Sequence, residues 1–224
     1  MSAIFVTGSG TEIGKTYITA ALIRELRRRG GPVEALKPVV SGFDPEHAAE
    51  SDPGILLSAL AQEPTQAALD RISPWRFRAP LSPDMAARRE GRALDFDALV
   101  AFTRQRIAAA AGTLLIEGIG GVMVPLDEHH TMRDWIAALE IPALLIAGSY
   151  LGALSHALTA IEALRQRGIA IKAVIVNQTP GSGVELEETV ATIRRFSPAA
   201  PVTGLPRLEG EAGHRALQHI ADLL

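Results

Sequence analysis

The chain has no cysteine among its 224 residues, which removes disulfides, thiolate metal sites and every cysteine nucleophile from its chemistry. Aromatic residues make up only 4%, and neither sign of charge dominates, with 22 basic against 25 acidic residues and a formal net charge of -3. No global field therefore favours a nucleic-acid backbone or an anionic membrane. No apolar run reaches the roughly 18 residues that cross a bilayer, and the opening MSAIFVTGSG carries no basic stretch ahead of an apolar one. The expectation is a cytoplasmic protein that handles small molecules, without nucleic-acid or membrane partners. The six histidines show no metal-ligand spacing, and His129-His130 reads as a solvated turn.

What is present is ordinary globular composition, 47% hydrophobic and 21% charged, on a length suited to one α/β domain spanning 1–224. Short aliphatic runs alternate with stretches of helical period, the pattern of βαβ units. Strands are expected at Ala3–Thr7, Val33–Val39, Thr113–Glu117, Ala143–Ala147, Ala170–Val176 and Pro201–Gly204. Helices are expected at Lys15–Arg29, Phe96–Ala110, Met132–Leu139, Leu151–Arg167, Val184–Phe196 and His214–Leu223. The predicted fold is a mainly parallel sheet with helices on both faces. Prolines at 45, 53, 64, 74, 80 and 83 break up the region from Ser41 to Arg92 into loops and short helices. Irregular segments leaving strand ends are where an α/β sheet usually keeps its specificity.

The most specific signal is Gly8-Ser9-Gly10-Thr11-Glu12-Ile13-Gly14-Lys15-Thr16, directly after the apolar AIFVT and directly before a helical run. Strand, glycine-rich loop and helix form the context of a phosphate-binding loop. Glycines let backbone N–H groups converge on phosphate oxygens, and the helix N-terminus adds the positive end of its dipole. Lys15 would reach the outer phosphates and the Thr16 hydroxyl would bind Mg²⁺. The spacing G-x-x-x-x-G-K-[ST] wants glycine at 9, where Ser9 stands between Gly8 and Gly10, so a loop starting at Gly8 is one residue longer. Such a loop implies a nucleoside triphosphate and a metal, not a reaction.

Other residues narrow the chemistry. Lys37, in LKPVVSG, ends an apolar run and could neutralise an acyl or carbamate group during phosphoryl transfer; it reads equally as an edge lysine reaching solvent. Asp52, in SDPG, offers Mg²⁺ a hard oxygen ligand, and also suits a helix N-cap followed by proline. Glu117 closes TLLIE ahead of Gly118-Ile119-Gly120-Gly121, a position fit for holding Mg²⁺ directly or through water, where the glycines permit close backbone approach to a ligand. Asn177 ends AVIV and its amide could meet an adenine edge, though asparagine also ends strands as a turn former.

Taken together, FVTGSGTEIGKT, LKPVVSG, the Asp in SDPG, and EGIGG resemble dethiobiotin synthetase in order and separation, with weaker likeness through AGSYLGALSHA and VNQ. The resemblance implies a homodimeric ligase that uses ATP, CO₂ and Mg²⁺ to close a cyclic urea on 7,8-diaminopelargonic acid, by way of a carbamate and a carbamic–phosphoric anhydride. It implies Lys15 and Lys37 as catalytic, and Thr16, Asp52 and Glu117 as the metal site. Nucleotide contacts would come from Glu12, Ile13, Gly14, Lys15, Thr16, Tyr17, Asp52, Glu117, Gly118, Ile119, Gly120, Asn177, Gln178 and the turn Pro206, Arg207, Leu208. Thr11, Lys37 and Ser41 would lie beside the diamine, and Gly152 and Ser155 near the substrate carboxylate bound across the subunit interface. Three positions depart from that family's pattern: Gly10 for a common Asp, Ile119 for a small residue, and Gln178 for a frequent acid. They imply changes in affinity or nucleotide preference, not in reaction type.

Two other classes compete. An amidotransferase-type synthetase would usually need an attached glutaminase with a cysteine nucleophile, which this chain lacks. A partition or regulatory ATPase acting through a protein partner would carry a signature lysine five residues before Lys15, where Gly10 stands.

Overall fold

The computed structural model describes residues 2–224. Its centre is a six-stranded, all-parallel sheet in the order β2-β5-β1-β6-β7-β8. The strands are β1 (Ser2–Gly8), β2 (Val33–Leu36), β5 (Thr113–Glu117), β6 (Ala143–Gly148), β7 (Ile171–Asn177) and β8 (Val202–Leu205). A separate parallel pair joins β3 (Val39–Val40) to β4 (Trp75–Arg76). Covering the sheet are the helices α1 (Lys15–Arg28), α5 (Phe96–Ala109), α6 (Met132–Leu139), α7 (Ala153–Gln166), α8 (Leu186–Phe196) and α9 (Glu211–Asp222). The proline-rich stretch holds three short helices, α2 (Asp52–Ala59), α3 (Gln66–Ile72) and α4 (Pro83–Arg89).

Alternation within each strand divides the core in two, because successive side chains point to opposite faces. From β1, Ile4 and Val6 pack with Ile18 and Leu22 of α1 and Leu217 and Ile220 of α9. Phe5, between them, joins Trp135 of α6 and the α7 and α8 residues Leu164 and Ile193 on the other face. The Phe5 and Trp135 rings meet edge to face at 4.8 Å and 88°, a favoured aromatic geometry. Burial of each such side chain contributes roughly 1.5–3 kcal/mol. Helices thus cover both faces, which is why the central strands are nearly unbroken apolar runs.

The chain runs from β1 through α1 to β2 on one side, and from β5 through α6 to β6 on the other. The sheet therefore reverses direction at β1, and the crevice at the carboxyl ends opens beside the loop after that strand. Gly8, the extra residue of the phosphate-loop spacing, is the last residue of β1 and pairs in register with Ile146. The added position is absorbed by the strand, and the loop proper starts beyond it.

Several expected elements differ in extent, α8 among them, which starts at Leu186 rather than Val184. The strand expected over Val33–Val39 ends at Leu36, because Pro38 has no N–H for a ladder; the Lys37 N–H turns out to the Ile72 carbonyl at 3.0 Å instead. Helix α7 starts at Ala153 rather than Leu151, with Gly152 at φ 96° as its N-cap. Helix α9 starts at Glu211, ahead of the expected His214.

Candidate active site

The loop from Gly10 to Gly14 leaves β1 and enters α1 with its backbone donors unspent. None of the N–H groups from Gly10 through Tyr17 donates to an acceptor among the described residues. Such a run beside a helix N-terminus is an anion cradle of the kind that holds polyphosphate. Lys15 is buried and donates from Nζ to the Gly10 carbonyl at 2.8 Å. Its pKa is pulled down to about 8, first by burial and then by the neighbouring charge of Lys37, against the opposing pull of Glu117 and Asp52. Glu12 sits in the left-handed region at φ 57°, and Ile13 turns its side chain back into the core, where a Cβ at Gly8 would lie 2.7 Å from Ile13 Cδ1.

Behind the loop lies a compact charged cluster. Lys37, 1% exposed, donates to Glu117 Oε1 and to the Gly118 carbonyl, each at 2.8 Å, and forms an ion pair with Asp52 Oδ2 at 2.9 Å. Burial opposes its charge, but Glu117 and Asp52 outweigh that and raise its pKa above the ordinary ammonium value. Burial likewise opposes ionisation of Asp52, and Lys37 outweighs it, holding the carboxyl below its usual range. Lys37 is therefore a fixed cation rather than a solvent-seeking edge lysine. Asp52 does not cap α2: Ser51 does, accepting the Gly54 N–H at 3.3 Å, which leaves the Asp52 carboxylate free to face the loop.

Thr16 Oγ1 lies 2.9 Å from Asp52 Oδ1 and 2.6 Å from Glu117 Oε1. One hydroxyl proton serves only one of these oxygens, and Glu117 Oε2 is buried with no partner at all. An oxygen cluster with more acceptors than protons fits a hard divalent cation. No group of three or more acidic, imidazole or thiol ligands gathers among the described residues. A cation here would complete its shell from phosphate and water, as Mg²⁺ commonly does.

These groups open onto a cleft of about 640 Å³ lined by Thr11, Glu12, Gly14, Lys15, Thr16, Tyr17, Lys37, Ser41, Asp52, Ile119 and Gly120. Gly118 sits just behind, close against the Phe5 ring, and Glu117 beneath it is wholly buried. Six lining residues were not singled out by the sequence: Val40, Pro80, Leu81, Ser82, Pro83 and Val124. The segment 79–83 reaches the cleft through the Gly42 N–H, which donates to the Ala79 carbonyl at 3.1 Å. The only sequence signal for it was the proline-broken character of the region.

The remaining expected residues fall in two places. Asn177, at the end of β7, donates from Nδ2 to the Ile13 carbonyl at 3.0 Å, so one of its donors is already engaged with the loop. Next to it Gln178 Oε1 accepts the Arg207 N–H at 3.2 Å, tying the turn Pro206, Arg207, Leu208 to the strand end. The Arg207 guanidinium lies 5.9 Å from the centre of the Tyr17 ring, so this patch adjoins the first turn of α1. Gly152 and Ser155 are exposed at the start of α7 and line none of the cleft within their own chain.

Known proteins resemble this chain over nearly its whole length. The family model described as an AAA domain matches residues 2–213. An ATP-dependent dethiobiotin synthetase BioD from Acidiphilium cryptum is 54% identical over 202 residues, covering 90% of this chain and 91% of that protein. The protein of the same name from Caulobacter vibrioides is 43% identical over 225 aligned positions, covering 100% of this chain and 99% of that one. Among solved structures, the MinD cell division protein of Aquifex aeolicus superposes with a TM-score of 0.61 at 13% identity, over 100% of this chain and 97% of that one. A ParA family ATPase from Chlorobium tepidum gives 0.60 at 11%, covering all of both chains. At such identities these two share the fold alone. With the dethiobiotin synthetases the likeness extends through the sequence and over nearly the whole length, and the chain belongs to the ATP-dependent dethiobiotin synthetase family.

Proposed function

We propose that the chain is an ATP- and Mg²⁺-dependent ligase that closes the ureido ring of dethiobiotin on 7,8-diaminopelargonic acid, with CO₂ as the one-carbon source. It acts as a single synthetase domain, paired in a homodimer in the cytoplasm. The observation that carries the reading is the buried, charged Lys37, which lines the same cleft as the phosphate loop and shares Glu117 with Thr16.

The reaction starts when one amine of the substrate captures CO₂ and loses a proton, giving a carbamate. Lys37 neutralises that new anion, and Thr11 and Ser41 flank it. The carbamate oxygen attacks the γ-phosphorus of ATP, and the bond to ADP breaks. The second amine then attacks the carbonyl carbon of the resulting carbamic–phosphoric anhydride, loses a proton and expels phosphate as the ring closes. No protein nucleophile is required, so catalysis rests on positioning and charge.

The N–H cradle and Lys15 hold the triphosphate, and Lys15 exchanges the Gly10 carbonyl for phosphate oxygens. Thr16, Asp52 and Glu117 would hold Mg²⁺, which neutralises phosphate charge when bound. Glu12, Ile13, Gly14, Tyr17, Gly118, Ile119 and Gly120 surround the nucleotide, while Asn177, Gln178, Pro206, Arg207 and Leu208 face the adenine. Gly152 and Ser155 of the partner subunit offer the N-terminus of its α7 to the substrate carboxylate. The test is diamine-dependent ADP release: it should require ATP, Mg²⁺, bicarbonate and the diamine together. ATP turnover that ignores the diamine but responds to a protein partner would favour a regulatory ATPase instead.

A further inference from the structure

The amide of Asn177 does more in this fold than a base-edge contact would ask of it. Its Nδ2 donates to the Ile13 carbonyl at 3.0 Å, across 164 positions of chain. The peptide that follows, between Ile13 and Gly14, is trans like every other described peptide bond, so its C=O and N–H point in opposite directions. Asn177 lies outside the cleft lining, whereas Gly14 is part of it. A carbonyl held towards Asn177 therefore aims the Gly14 N–H into the cleft, where it has no other acceptor.

The lock is needed because the peptide is otherwise easy to turn over. Gly14 has φ 91° and no side chain to resist rotation. If it flipped, the Ile13 carbonyl would face the phosphates and repel them. Asn177 also packs tightly here, since a Cβ on Gly14 would lie too close to Nδ2 to coexist with it. The strut stands on rigid ground: Asn177 pairs with Gly148 of β6 and Leu205 of β8, inside the sheet.

We propose that Asn177 is a positioning residue for phosphate binding, holding the Ile13–Gly14 peptide so that the Gly14 N–H joins the anion cradle. The inference rests on the reading of this loop as a triphosphate site, and it separates from base recognition by using a ligand without a base. Inorganic tripolyphosphate with Mg²⁺ is titrated calorimetrically against the wild type, Asn177→Ala and Asn177→Ser, alongside ATP and well below each variant's unfolding temperature.

The expected result is a loss of about tenfold in tripolyphosphate affinity for Asn177→Ala, matched by a similar loss for ATP and partly restored by the short donor of Asn177→Ser. Tripolyphosphate binding that stays at the wild-type level while ATP binding weakens would overturn the proposal and leave Asn177 with the base alone. A protein that merely lost stability would unfold earlier but keep its tripolyphosphate affinity while folded, which also counts against it. Wild-type protein that binds neither ATP nor tripolyphosphate would overturn the site reading itself.

Discussion

Lys37 sits between two carboxylates, one of them fully buried, and every proton on its ammonium has a partner. Removing it leaves Glu117 without a counter-charge in the interior. Lys37→Met should therefore cost about 3–5 kcal/mol of stability, read from chemical denaturation, and adding Glu117→Gln should recover most of that loss. On the proposed mechanism turnover should fall by about 10²–10³ or more, because the charge assigned to the carbamate would be gone. Near-normal turnover by a folded Lys37 variant would remove it from the chemistry. Lys15 makes a different prediction. With its pKa held near 8 in the free protein, it disfavours folding at neutral pH, and this penalty is relieved as pH rises from about 8 towards the ordinary ammonium value. Polyphosphate favours the charged form, so the sign reverses for binding: ATP affinity should drop above about pH 8, with proton uptake on binding. Calorimetry in buffers of different ionisation enthalpy at about pH 8.5 measures that uptake, and its absence would contradict the placement of Lys15 against the phosphates.

At the scale of elements, Gly118 marks how closely the strand-end turn is packed. A Cβ there would come 2.8 Å from Phe5 Cε1 and 2.9 Å from Met132 Sδ. Gly118→Ala should destabilise by about 1–3 kcal/mol through overpacking, seen as a lower thermal midpoint, and should weaken activity because the Gly118 carbonyl orients Lys37. The long elements were legible because periodicity and terminal chemistry agreed: α1, for instance, ends on Arg27 and Arg28 with Gly30 at φ 82° just beyond. The phosphate loop, Lys37, Asp52 and Glu117 were legible as residue types in a motif. Their mutual contacts were not, since nothing local says that Lys37 leaves the sheet at Pro38 and turns inward to meet positions 52 and 117. The cleft residues Val40 and Pro80–Pro83 were hidden for a similar reason. They are apolar or small, without chemistry of their own, and only the tertiary contact of 79–83 with Gly42 brings them to the site. Asn177 read as a strand-end amide, and its bond to Ile13 depends on a pairing 164 positions apart.

At the scale of the molecule, no described helix is long and apolar enough to cross a membrane, and the sheet's reversal at β1 sets the cleft among β1, β2 and β5. Leu151, 93% exposed, stands beside Gly152 and Ser155, exposed residues that line none of that cleft, an arrangement that suits a site shared between subunits. Ser155→Asp should leave the fold intact, because an acidic residue suits a helix N-terminus, yet should repel the substrate carboxylate and raise KM for the diamine. If each site is shared, mixing Ser155→Asp with Lys37→Met in equal amounts, at a diamine concentration too low for either variant to turn over, should restore about a quarter of wild-type turnover through subunit exchange, since half the dimers then hold one complete site. Failure of the mixture to exceed either variant would place both residues in one chain's site.

The central claim is tested most directly by mass spectrometry of the product formed from ATP, Mg²⁺, ¹³C-labelled bicarbonate and 7,8-diaminopelargonic acid. The account predicts dethiobiotin carrying a single ¹³C, formed with one ADP per product and lost when any component is omitted. ATP hydrolysis without labelled dethiobiotin would contradict it.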